Sequence, residues 1–317
     1  MKEIGGYFGL EQLIDNEYYK DLIALNTGRN ALLYLIKAKN IQKLYIPYYL
    51  CNSVSHMLQM YKCNFEYYHV DAKFNPVFDK GFNDGDYLYI VNYYGQLTDD
   101  RMNYFKQKYR RIILDNTHAF FQKPLDGVDT IYSCRKFFGV PDGAYLSTDT
   151  VLNEELETDV SKDRMTHILG RFEGNASDYY NDFKENDASF KLESLKYMSR
   201  LTRNILGAID YEKVKRIRNE NYAYLAGRLG EINRLRLEII EGPFAYPLYV
   251  ENGIKVRKKL AEKKIYIPTL WPNVLEDITR SSIEYDYAAN ILPLPCDQRY
   301  GLRDMKYIAE GLRKCID

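Results

Sequence analysis

Cysteine and histidine are scarce in this chain. Five of its 317 residues are cysteines, Cys51, Cys63, Cys134, Cys296 and Cys315. The number is odd, the spacings are wide and no Cys-x-x-Cys occurs, which argues against a disulfide framework or a cysteine zinc site. A reducing, cytoplasmic compartment is the expectation. The four histidines, His56, His69, His118 and His167, include no pair at helical metal-ligand spacing, so no metal is expected. Charge of either sign is not in excess: 44 Lys and Arg face 44 Asp and Glu. A broad nucleic-acid surface needs a basic surplus to displace counterions from phosphate, and there is none. Long apolar runs are missing too. None approaches the roughly 18 residues that span a bilayer, and the stretch from Met1 to Tyr7 has no apolar core of signal-peptide length. Neither nucleic acid nor membrane is an expected partner. There is also no internal repeat, low-complexity tract or Pro/Gly/Ser linker.

What is present describes a well-filled α/β protein. Hydrophobic residues make up 46% and charged residues 28%, enough apolar side chains for a sizeable core. The periodicities predict helices over Asn30–Lys39, Cys51–Tyr61 and Asp99–Tyr109. They predict strands over Lys43–Pro47, Phe65–Asp71, Asp86–Val91 and Arg111–Leu114. This alternation implies a mostly parallel central sheet with helices on both faces. Further on, helices are expected within Asp178–Leu206, while 153–186 reads as charged and exposed. Tyr211–Asn233, Glu251–Lys263 and Arg303–Cys315 read as helices. Leu237–Ile240, Ala245–Val250 and Ile265–Ile267 read as strands. The expected division is a large α/β domain over 1–205 and a smaller α+β C-terminal domain over 206–317.

Three segments carry candidate chemistry. Arg111-Ile112-Ile113-Leu114-Asp115-Asn116-Thr117-His118 delivers an aspartate at a strand end and a histidine just after. Thr130–Ser133 is a short apolar run ending in a hydroxyl, followed by Lys136, two phenylalanines and a Pro141-Asp142-Gly143 turn. Asn26-Thr27-Gly28-Arg29-Asn30 is a small polar loop entering a helix. It is suited to an ordinary cap or to an anion seat, since exposed amides and the helix dipole favour phosphate. Asp115 is also readable as a turn or cap residue and Lys136 as an exposed loop lysine, though the two phenylalanines and tight turn after Lys136 are the setting that depresses a lysine's pKa. Strand ends at one sheet edge are where such folds place ligands. An aspartate, a lysine beside apolar surface and phosphate donors are what a pyridoxal phosphate site needs.

In order and spacing these segments resemble the DegT/DnrJ/StrS family of sugar aminotransferases, members of the fold-type I pyridoxal phosphate superfamily. Thr27-Gly28-Arg29-Asn30-Ala31-Leu32 stands in the place of the family's Ser-Gly-Thr-x-Ala-Leu loop. Gly5–Glu11 resembles its opening motif and Ile46–Cys51 its Val-Pro-x-x-Thr segment. Asn92-Tyr93-Tyr94-Gly95 corresponds to His-Leu-Tyr-Gly, and Asp115–His118 to Asp-x-Ala-His/Gln. Ser133–Ala144 is similar to the Ser…Lys…Gly-Glu-Gly-Gly block, and Ile291–Pro295 to the closing Leu-x-Leu-Pro. Arg29 replaces a threonine. Cys51 falls where many members stack an aromatic ring, so that stacking is either lost or taken over by Tyr49. The family's partner-reaching Asn-Tyr-Arg segment is not recognisable; Met198-Ser199-Arg200-Leu201 is the nearest register.

The resemblance implies pyridoxal 5′-phosphate as cofactor, with Lys136, Asp115 and His118 as catalytic residues. Gly28, Arg29, Asn30, Cys51 and Ser133 would complete the cofactor site. It implies a homodimer, an amino-acid donor such as glutamate, and a nucleotide-linked keto sugar as acceptor, for polysaccharide or glycoconjugate synthesis. Two alternatives stay open: a sugar dehydratase using the same cofactor, and a non-catalytic binding or regulatory protein on the same fold. Retention of Lys136 speaks against the dehydratase, whose branch replaces that lysine by histidine. A chain shorter than is typical for the family, Cys51 and the missing partner-reaching asparagine speak for the non-catalytic form, and intact Asp115, His118 and Lys136 speak against it.

Overall fold

A computed structural model describes residues 4–191 and 193–316. Met1–Glu3, at the start of the segment read for a signal peptide, lie outside the described residues. The chain order is β1 (Ile23–Leu25), α1 (Gly28–Ala38), β2 (Lys43–Pro47), α2 (Asn52–Met60), β3 (Asn64–Val70), β4 (Pro76–Val77), β5 (Asp86–Val91), α3 (Asp99–Tyr109), β6 (Ile112–Asp115), β7 (Asp129–Ser133) and β8 (Ala144–Ser147). These strands form one sheet in the order β1-β8-β7-β6-β5-β2-β3-β4. The strands from β7 through β6, β5 and β2 to β3 pair in parallel, and β8 runs antiparallel between β7 and β1. Strands such as Ile112–Asp115 are buried throughout, as a sheet covered on both faces requires. From β2 the chain moves outward to β3, then returns to β5 on the other side. The sheet's switch point therefore lies between β2 and β5, and Asp115 and Ser133 end the neighbouring strands.

Helix starts follow local chemistry. Thr27 accepts a hydrogen bond from the Asn30 N–H and begins α1; Thr98 does the same for Arg101 at α3, whose first turn holds Asp99 and Asp100 and last turn Lys106 and Lys108. Beyond the sheet come α4 (Thr166–Glu173), α5 (Tyr180–Ser189), α6 (Arg200–Gly207), α7 (Tyr211–Leu229), β9 (Tyr246–Tyr249), α8 (Gly253–Glu262), α9 (Val274–Asp277), α10 (Ile283–Asn290), β10 (Ile291–Leu294) and α11 (Leu302–Ile316). β9 and β10 make a separate antiparallel pair.

Two expected strands do not form. Residues 237–240 pair with no strand among the described residues; the Glu238 N–H instead donates to Gln96 Oε1. Ile265 and Ile267 are buried and Tyr266 exposed, so the alternation is real. It is satisfied by packing in the C-terminal core rather than by a ladder. β1, only three residues long, is too short to carry a readable period.

One core lies around the sheet and a second forms from α7, β9, β10, α8 and α11. The division into domains over 1–205 and 206–317 remains a proposal, and α7 runs between these cores. Tyr211 and Val214, in the first turn of α7, pack with the sheet side, whereas Tyr222, Leu225 and Leu229 belong to the second core. A boundary at 206 would fall inside α6 (Arg200–Gly207), and α7, which starts beyond it, still has its first turn on the sheet side.

The turn after Lys136 is tied down by Asp142. This fully buried carboxylate accepts from the Ser199 N–H at 2.8 Å, from Ser199 Oγ at 2.6 Å and from the Thr202 hydroxyl. It thereby fixes the start of α6. Gly143 follows at φ +117°, a conformation that suits glycine, with Thr202 and Cys134 side chains where a Cβ would stand. Asp142→Ala strands the Ser199 N–H and the Thr202 hydroxyl in the interior, while Ser199 Oγ keeps Ser161 Oγ as a partner. We expect a loss of about 3 kcal/mol or more, measured by chemical denaturation.

Candidate active site

The β6 end and the loops after β7 and β1 bring the predicted residues to one edge of the sheet. Asp115 is buried. Its Oδ2 accepts from the Tyr89 hydroxyl at 2.7 Å and its Oδ1 from the Thr117 N–H at 2.9 Å. Burial pushes its pKa above the usual carboxylate range; the bonds from Thr117 and Tyr89 pull the other way, as does the charge of Lys136. Among the described residues no cation forms an ion pair with it. A buried carboxylate held by neutral donors alone is an incomplete arrangement, and a cationic group would complete it.

His118 is also buried, and burial, reinforced by the charge of Lys136, lowers its pKa to about 3. Its imidazole is therefore neutral. The Tyr94 N–H faces Nδ1 at 3.5 Å, which assigns the proton to Nε2. The ring stacks on Phe244 with centroids 4.1 Å apart and on Trp271 at 5.5 Å. Lys136 ends a 3₁₀ turn after β7 and is exposed; its Nζ has no partner among the described residues, yet its charge reaches both Asp115 and His118.

The helix-start seat is narrower than the sequence suggests. Gly28 and Arg29 keep free N–H groups among the described residues, and the Arg29 guanidinium has no hydrogen bond there. Burial lowers the pKa of Arg29, while Cys51 and Asp187 lie near enough to raise it. Asn30 departs from the expected role. Its N–H caps onto Thr27 Oγ1 at 3.1 Å, and its side-chain amide donates to Asn26 Oδ1 at 2.9 Å and to the Ser194 carbonyl at 2.8 Å. Those donors are used within the fold. Ser133, half-buried beside Ala144, has a hydroxyl without a protein partner among the described residues. Cys51 starts α2, half-exposed, without capping it.

Tyr49 does not replace the missing stacking ring. It is buried against Tyr93 at 5.1 Å and Trp271 at 4.4 Å, with its carbonyl bonded by the Tyr93 hydroxyl. Ser199 is likewise buried in its own chain, so in the segment 198–201 Arg200 is the exposed residue. Sequence reasoning missed Tyr89, Arg135, Phe244 and Trp271. Arg135, next to Lys136, lies 4.4 Å over the Phe190 ring and 3.3 Å from Asp187. Its basic side chain in a motif already singled out was an available signal. Phe244 and Trp271 had none, being brought in by distant loops.

The described residues contain no metal-ligand cluster and no helix long and apolar enough to cross a membrane.

No protein-family model matches the sequence, and no curated protein sequence does. Solved structures do match. A DegT DnrJ EryC1 StrS aminotransferase from Brucella abortus is 13% identical, with 93% of this chain and 86% of that one aligned at a TM-score of 0.61. NtdA from Bacillus subtilis, crystallised with bound cofactor PMP, is 15% identical over 93% and 73% of the two chains, TM-score 0.66. Helicobacter pylori PseC, an aminotransferase involved in the biosynthesis of pseudoaminic acid, is 15% identical over 92% and 86%, TM-score 0.62. The chain thus has the fold of these aminotransferases, with the mostly parallel α/β sheet expected of it.

Proposed function

We propose that this protein is a pyridoxal 5′-phosphate-dependent aminotransferase that moves an amino group from an amino acid, in this reading glutamate, to a keto carbon of a nucleotide-linked sugar. The observation that carries the cofactor is Asp115: a buried carboxylate at a strand end that has no ion-pair partner among the described residues and lies within reach of the charge of Lys136, which also has none among them. The residues present fit the group. Gly28 and Arg29 N–H groups, the Arg29 guanidinium and the Ser133 hydroxyl would hold phosphate. Asp115 would hold the proton of the ring nitrogen, and neutral His118 would donate Nε2–H to the phenolic oxygen. When bound, the cofactor supplies an electron sink for the donor's α-carbon. Lys136 Nζ would carry it covalently at rest and, once released, lift and return the substrate proton. The sugar acceptor rests on the resemblance and on the activities of proteins sharing the fold.

The test is one half-reaction. Protein loaded with pyridoxamine phosphate is mixed with nucleotide-linked keto sugars and, separately, with simple 2-keto acids. Return of the aldehyde form with the sugars is expected. A response to keto acids alone would make the protein an amino-acid aminotransferase. Loss of a sugar hydroxyl without gain of an amine would indicate dehydration. No response in cofactor-bound protein would indicate a non-catalytic role.

Exposure of Lys136 supports a homodimer in which a second copy covers the site, with Arg200 as candidate contact. Sedimentation at micromolar concentration should show a dimer; a monomer with cofactor bound would contradict this.

A further inference from the structure

We infer that Tyr89 is a positioning residue for Asp115: its phenol holds the buried carboxylate as an anion, in place for a cationic ring. The inference rests on the cofactor reading above. Tyr89 lies on β5, whose Val91 pairs with Asp115 of β6, so the two strands set the geometry rigidly. Both residues are buried, at 3% and 6% exposure, and the hydroxyl stands 2.7 Å from Oδ2. The Tyr89 carbonyl is itself bonded by the Tyr68 hydroxyl at 2.7 Å, which anchors the strand from β3. Among the described residues, the Tyr89 hydroxyl bonds to Asp115 alone.

The need for such a donor follows from burial. A carboxylate taken from water without compensation neutralises by binding a proton. The groups around Asp115 that bear on this are few. Tyr89 and Thr117 donate to it, and Lys136 acts through its charge. Tyr93, in the turn after β5, and His118, in the loop after β6, are neutral at ordinary pH, since burial raises the Tyr93 pKa and lowers that of His118. Each carboxylate oxygen retains a second lone pair, so the phenol and a ring N–H can both be accepted.

The sign of the pH effect is determinate. Below the pKa of Asp115 in the cofactor-free protein, a protonated ring can pair with the carboxylate only if Asp115 first releases its proton. Affinity for pyridoxal 5′-phosphate should therefore fall as pH falls through that pKa. Tyr89→Phe removes one donor to the anion, raises the pKa and moves the fall to higher pH. A charge-assisted bond of this kind corresponds to at least about one pH unit.

The experiment follows binding by the fluorescence of Trp271, the single tryptophan, which lies 5.5 Å from His118. Full-length wild type, Tyr89→Phe, Asp115→Asn and the double variant are titrated across pH with pyridoxal 5′-phosphate and with its analogue bearing C–H in place of the ring nitrogen. The expected result is an upward displacement of the midpoint in Tyr89→Phe with the natural cofactor alone, absent when Asp115 is Asn. 3-Fluorotyrosine at position 89 keeps the ring and hydroxyl but donates more strongly. It should move the midpoint down, and it serves as the reporter if the phenylalanine variant does not fold. Unchanged midpoints in both substitutions, or equal displacement with the analogue, would overturn the role of Tyr89. Failure of wild type to bind either compound would instead overturn the cofactor reading.

Discussion

Lys136→Ala should reduce amino transfer by at least about 10³-fold while leaving the fold intact. An exposed lysine with no ion pair among the described residues contributes little to stability, and its removal strands no buried partner among them. Its proposed chemical role is large, because positioned proton transfer alone contributes about 10²–10⁴-fold and covalent attachment adds to it. Wild-type protein loaded with pyridoxal phosphate should show a visible absorbance band, and borohydride should leave a covalent label on the peptide containing Lys136. Single-turnover kinetics on the alanine variant, with denaturation as control, checks both halves of the expectation. Label on a different lysine would remove Lys136 from the mechanism.

Asp115→Asn should lower turnover by about 10²–10³-fold, the scale of other preorganised electrostatic contacts. The amide is nearly the same shape and can still accept from the Thr117 N–H or the Tyr89 hydroxyl. What it cannot do is hold a full negative charge opposite a ring cation. Stability should not suffer in proportion, because the charged form of Asp115 is itself disfavoured by burial. Half-reaction rates from stopped-flow spectra, set beside denaturation midpoints, separate the two effects. Near-normal rates would identify Asp115 as a cap for the 116–118 turn.

Much of the sheet was legible because its strands are continuous apolar runs punctuated at their ends. Strands Lys43–Pro47 and Asp86–Val91 and helix Asp99–Tyr109 stand where the pattern placed them. Asp115 and Ser133 were readable for the same reason: each closes such a run. Asn30 was misread because a polar side chain at a helix start can turn outward to a ligand or inward to a carbonyl. The Ser194 carbonyl that decides the matter is 164 residues away. Residues 237–240 have the composition of a strand, but composition cannot supply a neighbouring strand. Phe244 and Trp271 reach His118 only through the return of the C-terminal part over the sheet edge, a long-range event that leaves no local mark.

That return has a consequence for cooperativity. Val274, Tyr287, Ala288 and Ile291 pack into the sheet's own core, while α7, 19 residues and about 28 Å long, is rooted in one core and finished in the other. Neither half can melt without exposing apolar surface that the other half covers. The aromatic wall behind His118 is thereby built from both halves of the chain and exists only while the whole of it is folded.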